Sequence, residues 1–251
     1  MVECCTVRVL GPVDVMTPDG PRSVGGPQAR AVLASLAVGA GHAVAVDLLH
    51  QTLWGDHPPD SADNTLQSYI SDLRHILGAD TIKRIDHAYE LDIDPQNIDA
   101  VRFETLLGRA IVAKSDPAEC SRLCRDALQL WRGRPFGDLA DDDPFRLEAY
   151  RLDELRLAAM ELSVEADLAL GDDELVVSEL EVAVEEHPYR EHLWYLLIEA
   201  LAGRGRRVEA LQACQRLRDV LAEAGVEASD DLVTIERQIL EGHPPSPIRR
   251  R

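Results

Sequence analysis

The strongest constraint on the fold lies in SADNTLQSYISDLRHILG, just after the Pro58-Pro59 break, where Leu66, Ile70, Leu73 and Leu77 recur at steps of four and three residues. Such steps return to one side of a helix, so the stretch predicts a helix over 62–77 with one face in a core. Tyr69 and Ile76 widen the stripe. The opposite side carries Asn64, Gln67, Ser68, Ser71, Arg74 and His75, polar without heavy charge. That face suits a helix lying against base edges, and it equally suits a solvated helix. IKRID and YELDID follow, flanking a turn at Asp86-His87-Ala88, which predicts a two-stranded hairpin. Lys83 and Arg84 sit on it where phosphate contact is geometrically sensible.

The preceding residues complete a small domain. Short strands are expected at 6–10, 13–16 and 22–24, with Asp19-Gly20-Pro21 as a turn. GGPQARAVLASLAVGAG predicts a helix over 27–38, with proline at its start and glycine just past its end. A short strand at 42–45 and a helix through VDLLHQTLWG follow, the latter with Leu48, Leu49, Leu53 and Trp54 as its apolar face. Strands, three helices and a terminal hairpin describe a winged helix over residues 1–95.

From residue 96 the pattern is helical throughout, with expected spans 99–113, 117–131, 143–170, 173–186, 190–203, 207–223 and 230–241. Residues 243–251, rich in proline and arginine, read as a tail. A shift of 34 residues maps Val176 onto Ala210, Val177 onto Leu211, Leu180 onto Cys214 and Ala183 onto Leu217. That is the length of a tetratricopeptide unit, and stacked helix pairs of this kind commonly bind proteins or peptides. Trp131 and Trp194 lie in apolar runs and are expected to fill core or inter-helix seams, with Cys214 in the core. The fold class is thus multidomain α+β: an N-terminal winged helix, then an all-α tetratricopeptide-like domain over 96–242.

Charge bears on function. The net charge is −19, and residues 1–94 carry 13 acidic against 6 basic side chains. A field of that sign repels nucleic acid, so DNA binding needs a local basic patch. Arginine supplies nearly all the positive charge; Lys83 and Lys114 are the lysines. Adjacent Cys4 and Cys5 cannot form an ordinary disulfide, and Cys120 and Cys124, one helical turn apart, suit packing on one face. No basic leader or long apolar run opens the chain, so a cytoplasmic protein without membrane association is expected. Catalysis is not: Glu185-Glu186-His187 lacks metal-binding spacing and a third ligand, and neither a nucleophile elbow nor a phosphate loop occurs. No cofactor or metal is implied.

VRVLGPVDV, GGPQARAVLASL, LLHQTLWGDHPPDSADNTLQSYISDLRHILG and AYELDID, followed by ALQLWRGRPFGDL, HPYREHLWYLLIEAL, GRRVEALQACQRLRDVLAEAGVEAS and LVTIERQIL, carry a resemblance over nearly the whole chain. It resembles the antibiotic-regulatory-protein type of bacterial transcription regulator (EmbR-like), in which an OmpR-like winged helix precedes a bacterial transcriptional activation domain. The resemblance implies a regulator, commonly an activator, that reads double-stranded promoter DNA through helix 62–77 and recruits RNA polymerase, with a homodimer on tandem half-sites as one arrangement. It makes Asn64, Gln67, Ser68, Ser71, Arg74, His75, Lys83 and Arg84 the DNA-contact candidates and adds Arg30, which matches a basic position of the family. The chain departs from the family at Gln28, where lysine is common, at Asp72 and His75, where arginines are common, and at Ala88, where the family has glycine before its tyrosine. OmpR likeness alone implies no phosphorelay, and neither a receiver-type domain before the winged helix nor a forkhead-associated module after the repeat is expected. The competing expectation is a regulatory module that works by protein binding, its winged helix no longer holding DNA usefully.

Overall fold

In the computed structural model, which describes residues 5–171 and 173–243, the chain opens with an antiparallel sheet of β1 (Thr6–Arg8), β2 (Asp14–Thr17) and β3 (Gly20–Arg22), paired in that order. Val7 and Val15 face each other across β1 and β2 and are fully buried, the inward half of the strand alternation. The third strand starts at Gly20, two residues earlier than expected. Gly20 holds φ at 117°, which a side chain would resist. Cys4 and residues 244–251 of the expected tail lie outside the described residues.

Helices α1 (Pro27–Val38), α2 (Val46–Trp54) and α3 (Ala62–Leu77) follow, with the short β4 (Val44–Ala45) between α1 and α2. α1 packs on both other helices. Leu33 and Leu36 of α1, Leu49 of α2, and Leu66, Ile70 and Leu73 of α3 make the shared core. α1 and α3 have the expected limits. α2 departs from its expected face: Leu49 is buried, Leu53 and Trp54 are half-buried, and Leu48 is 46% exposed. Leu48 and Leu49 are neighbours 100° apart on the helix, and only one can point at α1.

The hairpin comprises β5 (Ile82–Ile85) and β6 (Ala88–Leu91), joined by Asp86-His87 alone, because Ala88 pairs with Ile85. Asp86 takes a φ of 50°, a conformation aspartate tolerates in tight turns. The sheet has three strands rather than the expected two, in the order β4-β6-β5, since Val44 and Ala45 pair with Tyr89 and Ala88.

Among the described residues seven α-helices follow: α4 (Asp99–Val112), α5 (Pro117–Leu128), α6 (Phe145–Leu170), α7 (Asp173–Glu186), α8 (Glu191–Gly203), α9 (Arg207–Glu223) and α10 (Asp230–Glu241). α5 stops three residues short of expectation, and the chain beyond it turns to meet the residues just after β1, with the Arg132 N–H donating to Leu10 O and the Phe136 N–H to Val9 O. Two compact units result, one of residues up to Arg109 with Arg125–Ala159, the other of Ala110–Cys124 with the chain from Met160 onward.

In the first unit, Asp99 is 2% exposed and its carboxylate accepts from the Val9 N–H at 2.7 Å and the Leu10 N–H at 3.1 Å. Burial pushes its pKa up to about 6 against the pull of these bonds and of Arg132. The Trp131 ring, half-buried, meets the Phe103 ring edge-on at 5.2 Å and carries the Arg156 guanidinium at 5.0 Å. In the second unit α7 to α10 pack each against the next. α7 and α9 begin 34 residues apart, and the equivalent positions Leu180 and Cys214 are both fully buried. Trp194 is 2% exposed, donates Nε1–H to Pro188 O at 2.9 Å, and lies under the Arg216 guanidinium. Among the described residues no helix is long and apolar enough to cross a membrane, and no group of His, Cys, Asp and Glu side chains could hold a metal.

Candidate nucleic-acid interface

α3 turns its buried stripe to the core and leaves Asn64, Gln67, Ser68, Ser71 and His75 exposed. At about 100° per residue these five fall within an arc of about 100°, one continuous ridge along the helix. Asp63 and Asp72, both exposed, flank it on opposite sides. The Asp63 carboxylate also lies 3.5 Å from His50 Nε2. His75 Nδ1 is 2.7 Å from Ser71 O. Facing a carbonyl, that nitrogen carries the proton, which directs Nε2 outward as an acceptor in the neutral ring.

The cationic candidates are engaged within the protein. Arg74 is half-buried at the edge of the ridge, and its Nε and Nη2 donate to Ile82 O at 2.9 and 2.5 Å, tying the last turn of α3 to the first residue of β5. Arg30, in α1, donates to Asp138 Oδ2 at 2.6 Å and to Gly25 O at 3.1 Å. Lys83 pairs with Asp92, whose carboxylate raises the pKa of the ammonium above its ordinary value. Arg84 lies over the Tyr89 ring, 5.9 Å from its centroid. Lys83 and Arg84 are nevertheless exposed, and such surface pairings are weak enough to exchange for a phosphate.

The structure therefore brings Asn64, Gln67, Ser68, Ser71 and His75 together, places Lys83 and Arg84 on the adjoining hairpin, and holds Arg74 between the two. Arg30 belongs to another neighbourhood, beside Asp138. Sequence reading missed the Tyr69 hydroxyl, which donates to Gln28 Oε1 at 2.5 Å and fixes the first turn of α1 against α3. The position was visible as the departure at Gln28; its partner, 41 residues away, was not.

Residues 24–88 match the C-terminal domain family of transcriptional regulatory proteins, and residues 98–240 match the bacterial transcriptional activator domain. The regulatory protein DnrI of Streptomyces peucetius is 37% identical over 229 residues, covering 86% of this chain and 84% of DnrI. The transcriptional regulatory protein EmbR of Mycobacterium tuberculosis is 36% identical over 246 residues, covering 94% of this chain and 63% of EmbR. A structure of Mycobacterium tuberculosis EmbR in complex with a low-affinity phosphopeptide superposes with a TM-score of 0.88 at 32% identity, over 96% of this chain and 66% of that one. The chain thus spans most of DnrI and slightly under two thirds of EmbR. The fold and the matches define a transcription regulator with an OmpR-like winged helix. The chain belongs to the antibiotic-regulatory-protein type of bacterial transcription regulators.

Proposed function

We propose that this protein regulates transcription by binding double-stranded promoter DNA, with α3 in the major groove and the hairpin against the backbone. The observation that carries the reading is the α3 ridge: five exposed polar side chains in register on a helix whose opposite stripe, Leu66, Ile70, Leu73 and Leu77, is buried. In this reading Asn64, Gln67, Ser68, Ser71 and His75 face base edges, and Lys83 and Arg84 exchange their intramolecular partners for phosphates. Arg30 and Arg74 reach DNA only by giving up Asp138 and Ile82 O. The helical repeat then serves partners, with RNA polymerase or a second copy of the chain as the occupants the family suggests.

The test is retention of genomic fragments from the protein's own locus by the purified chain across a salt series. A specific fragment, released as salt rises and lost on Gln67→Ala with Ser71→Ala, is the expected result. A folded sample that retains no fragment at low salt overturns it, and the protein-binding reading then stands.

A further inference from the structure

Guanine presents two acceptors to the major groove, N7 and O6, and its usual partner is a forked arginine or a lysine. Adenine presents an acceptor at N7 beside a donor at N6, a pair matched by the amide of asparagine or glutamine, which both donates and accepts. The exposed ridge of α3 carries two amides, Asn64 and Gln67, one turn apart. It carries no arginine or lysine. The cation of this helix, Arg74, is half-buried, and its Nε and Nη2 are turned onto Ile82 O, so its guanidinium is directed at the wing strand and stands at the edge of the ridge. Ser68 and Ser71 donate singly. Asp63 and Asp72 accept, so they can meet the amino groups of adenine or cytosine but not guanine O6 or N7.

We infer that α3 reads adenine through Asn64 and Gln67 and that Arg74 is a positioning residue which holds the wing strand to the recognition helix. The inference rests on the DNA-binding reading above and assigns it a base class. The two amides set which adenines are chosen; Arg74 sets where the hairpin stands relative to the ridge, so the phosphate contacts of Lys83 and Arg84 depend on it.

The experiment uses the full chain. Duplexes with a randomised core are selected by binding, and the selected site is then measured by fluorescence anisotropy with each adenine replaced in turn by guanine or by 7-deazaadenine, which lacks the N7 acceptor. The expected result is a loss of about tenfold or more at one or two adenines, the range of a good bidentate base contact. Asn64→Ala and Gln67→Ala, both at exposed positions, each abolish the discrimination at one adenine while the circular dichroism spectrum is unchanged. Arg74→Lys lowers affinity for all sites alike and leaves the base preference in place. A selected site dominated by guanines, with a preference lost in Arg74→Lys and kept in the two alanine variants, overturns the inference while sustaining DNA binding. Retention of no duplex, selected or random, at about 50 mM salt removes the DNA-binding reading itself.

Discussion

Around Asp99 the start of α4 and the turn after β1 are closed together by one buried carboxylate that accepts two backbone N–H groups. Around Trp194 the closure is an indole surrounded by neighbouring helices, with one hydrogen bond to Pro188 O and a guanidinium on its face. The first arrangement joins residues 89 and 90 positions apart and depends on exact polar pairing. The second joins helices that are neighbours in sequence, α7 to α10, and depends on filled volume. A single polar substitution should therefore act most at Asp99, and a cavity most at Trp194.

The largest effect is expected from Trp194→Ala, which empties a site that is 2% exposed and leaves Pro188 O without its donor. A loss of about 3–5 kcal/mol is expected, read as a lower urea midpoint of the helical signal; a loss below about 1 kcal/mol would mean that α7 to α10 collapse around the gap. Next is the pH dependence set by Asp99. Its carboxyl keeps its proton up to about 6 in the folded chain, against an ordinary 3.8, so its stabilisation is complete below the lower value and lost as pH rises through the higher. The stability of wild type relative to Asp99→Asn should fall, on the order of 3 kcal/mol, between about pH 4 and 7; a flat difference would show that the bonds from Val9 and Leu10 balance burial, and a rise with pH that they outweigh it.

Smaller effects sharpen the contrast between cations that hold the fold and cations offered to a ligand. Arg74→Ala removes two hydrogen bonds to Ile82 O and should cost about 1–2 kcal/mol of stability. If Arg74 acts through the hairpin, DNA affinity falls and the salt slope drops by up to about 1.8 as the phosphate contacts of Lys83 and Arg84 loosen, whereas the loss of one direct phosphate contact lowers it by about 0.9. Lys83→Ala should leave the melting temperature unchanged and make the slope shallower by about 0.9. An unchanged slope would place the hairpin away from DNA.

Helical periodicity made α1, α3, α7, α9 and α10 legible to the residue, because each carries a strong stripe or a proline or glycine boundary. It also showed which side chains of α3 stand on the outer ridge. What it could not show depends on partners distant in the chain or on the backbone. The burial of Leu49 over Leu48 follows from where α1 lies. The pairing of Val44 with Tyr89 recruits a two-residue strand too short to announce itself. Arg74 reads like any outward arginine until the carbonyl of Ile82 is in place, and Arg30 finds its acid 108 residues later. Charge inventories count such side chains as available, whereas the fold has already engaged them.

The segment from Arg132 to Phe136, hydrogen-bonded along Val9 and Leu10, has a bearing on how such regulators can be recombined. Gly11 sits so close to Arg132 that an added Cβ would stand 2.9 Å from the arginine's own. A chimera that exchanges only residues 1–95 brings in a foreign edge for this segment to meet, and a side chain in place of Gly11 would push it away. Swaps that carry the RGRPFG stretch along with residues 1–95 keep the two matched, so the natural cassette for exchange is discontinuous in sequence.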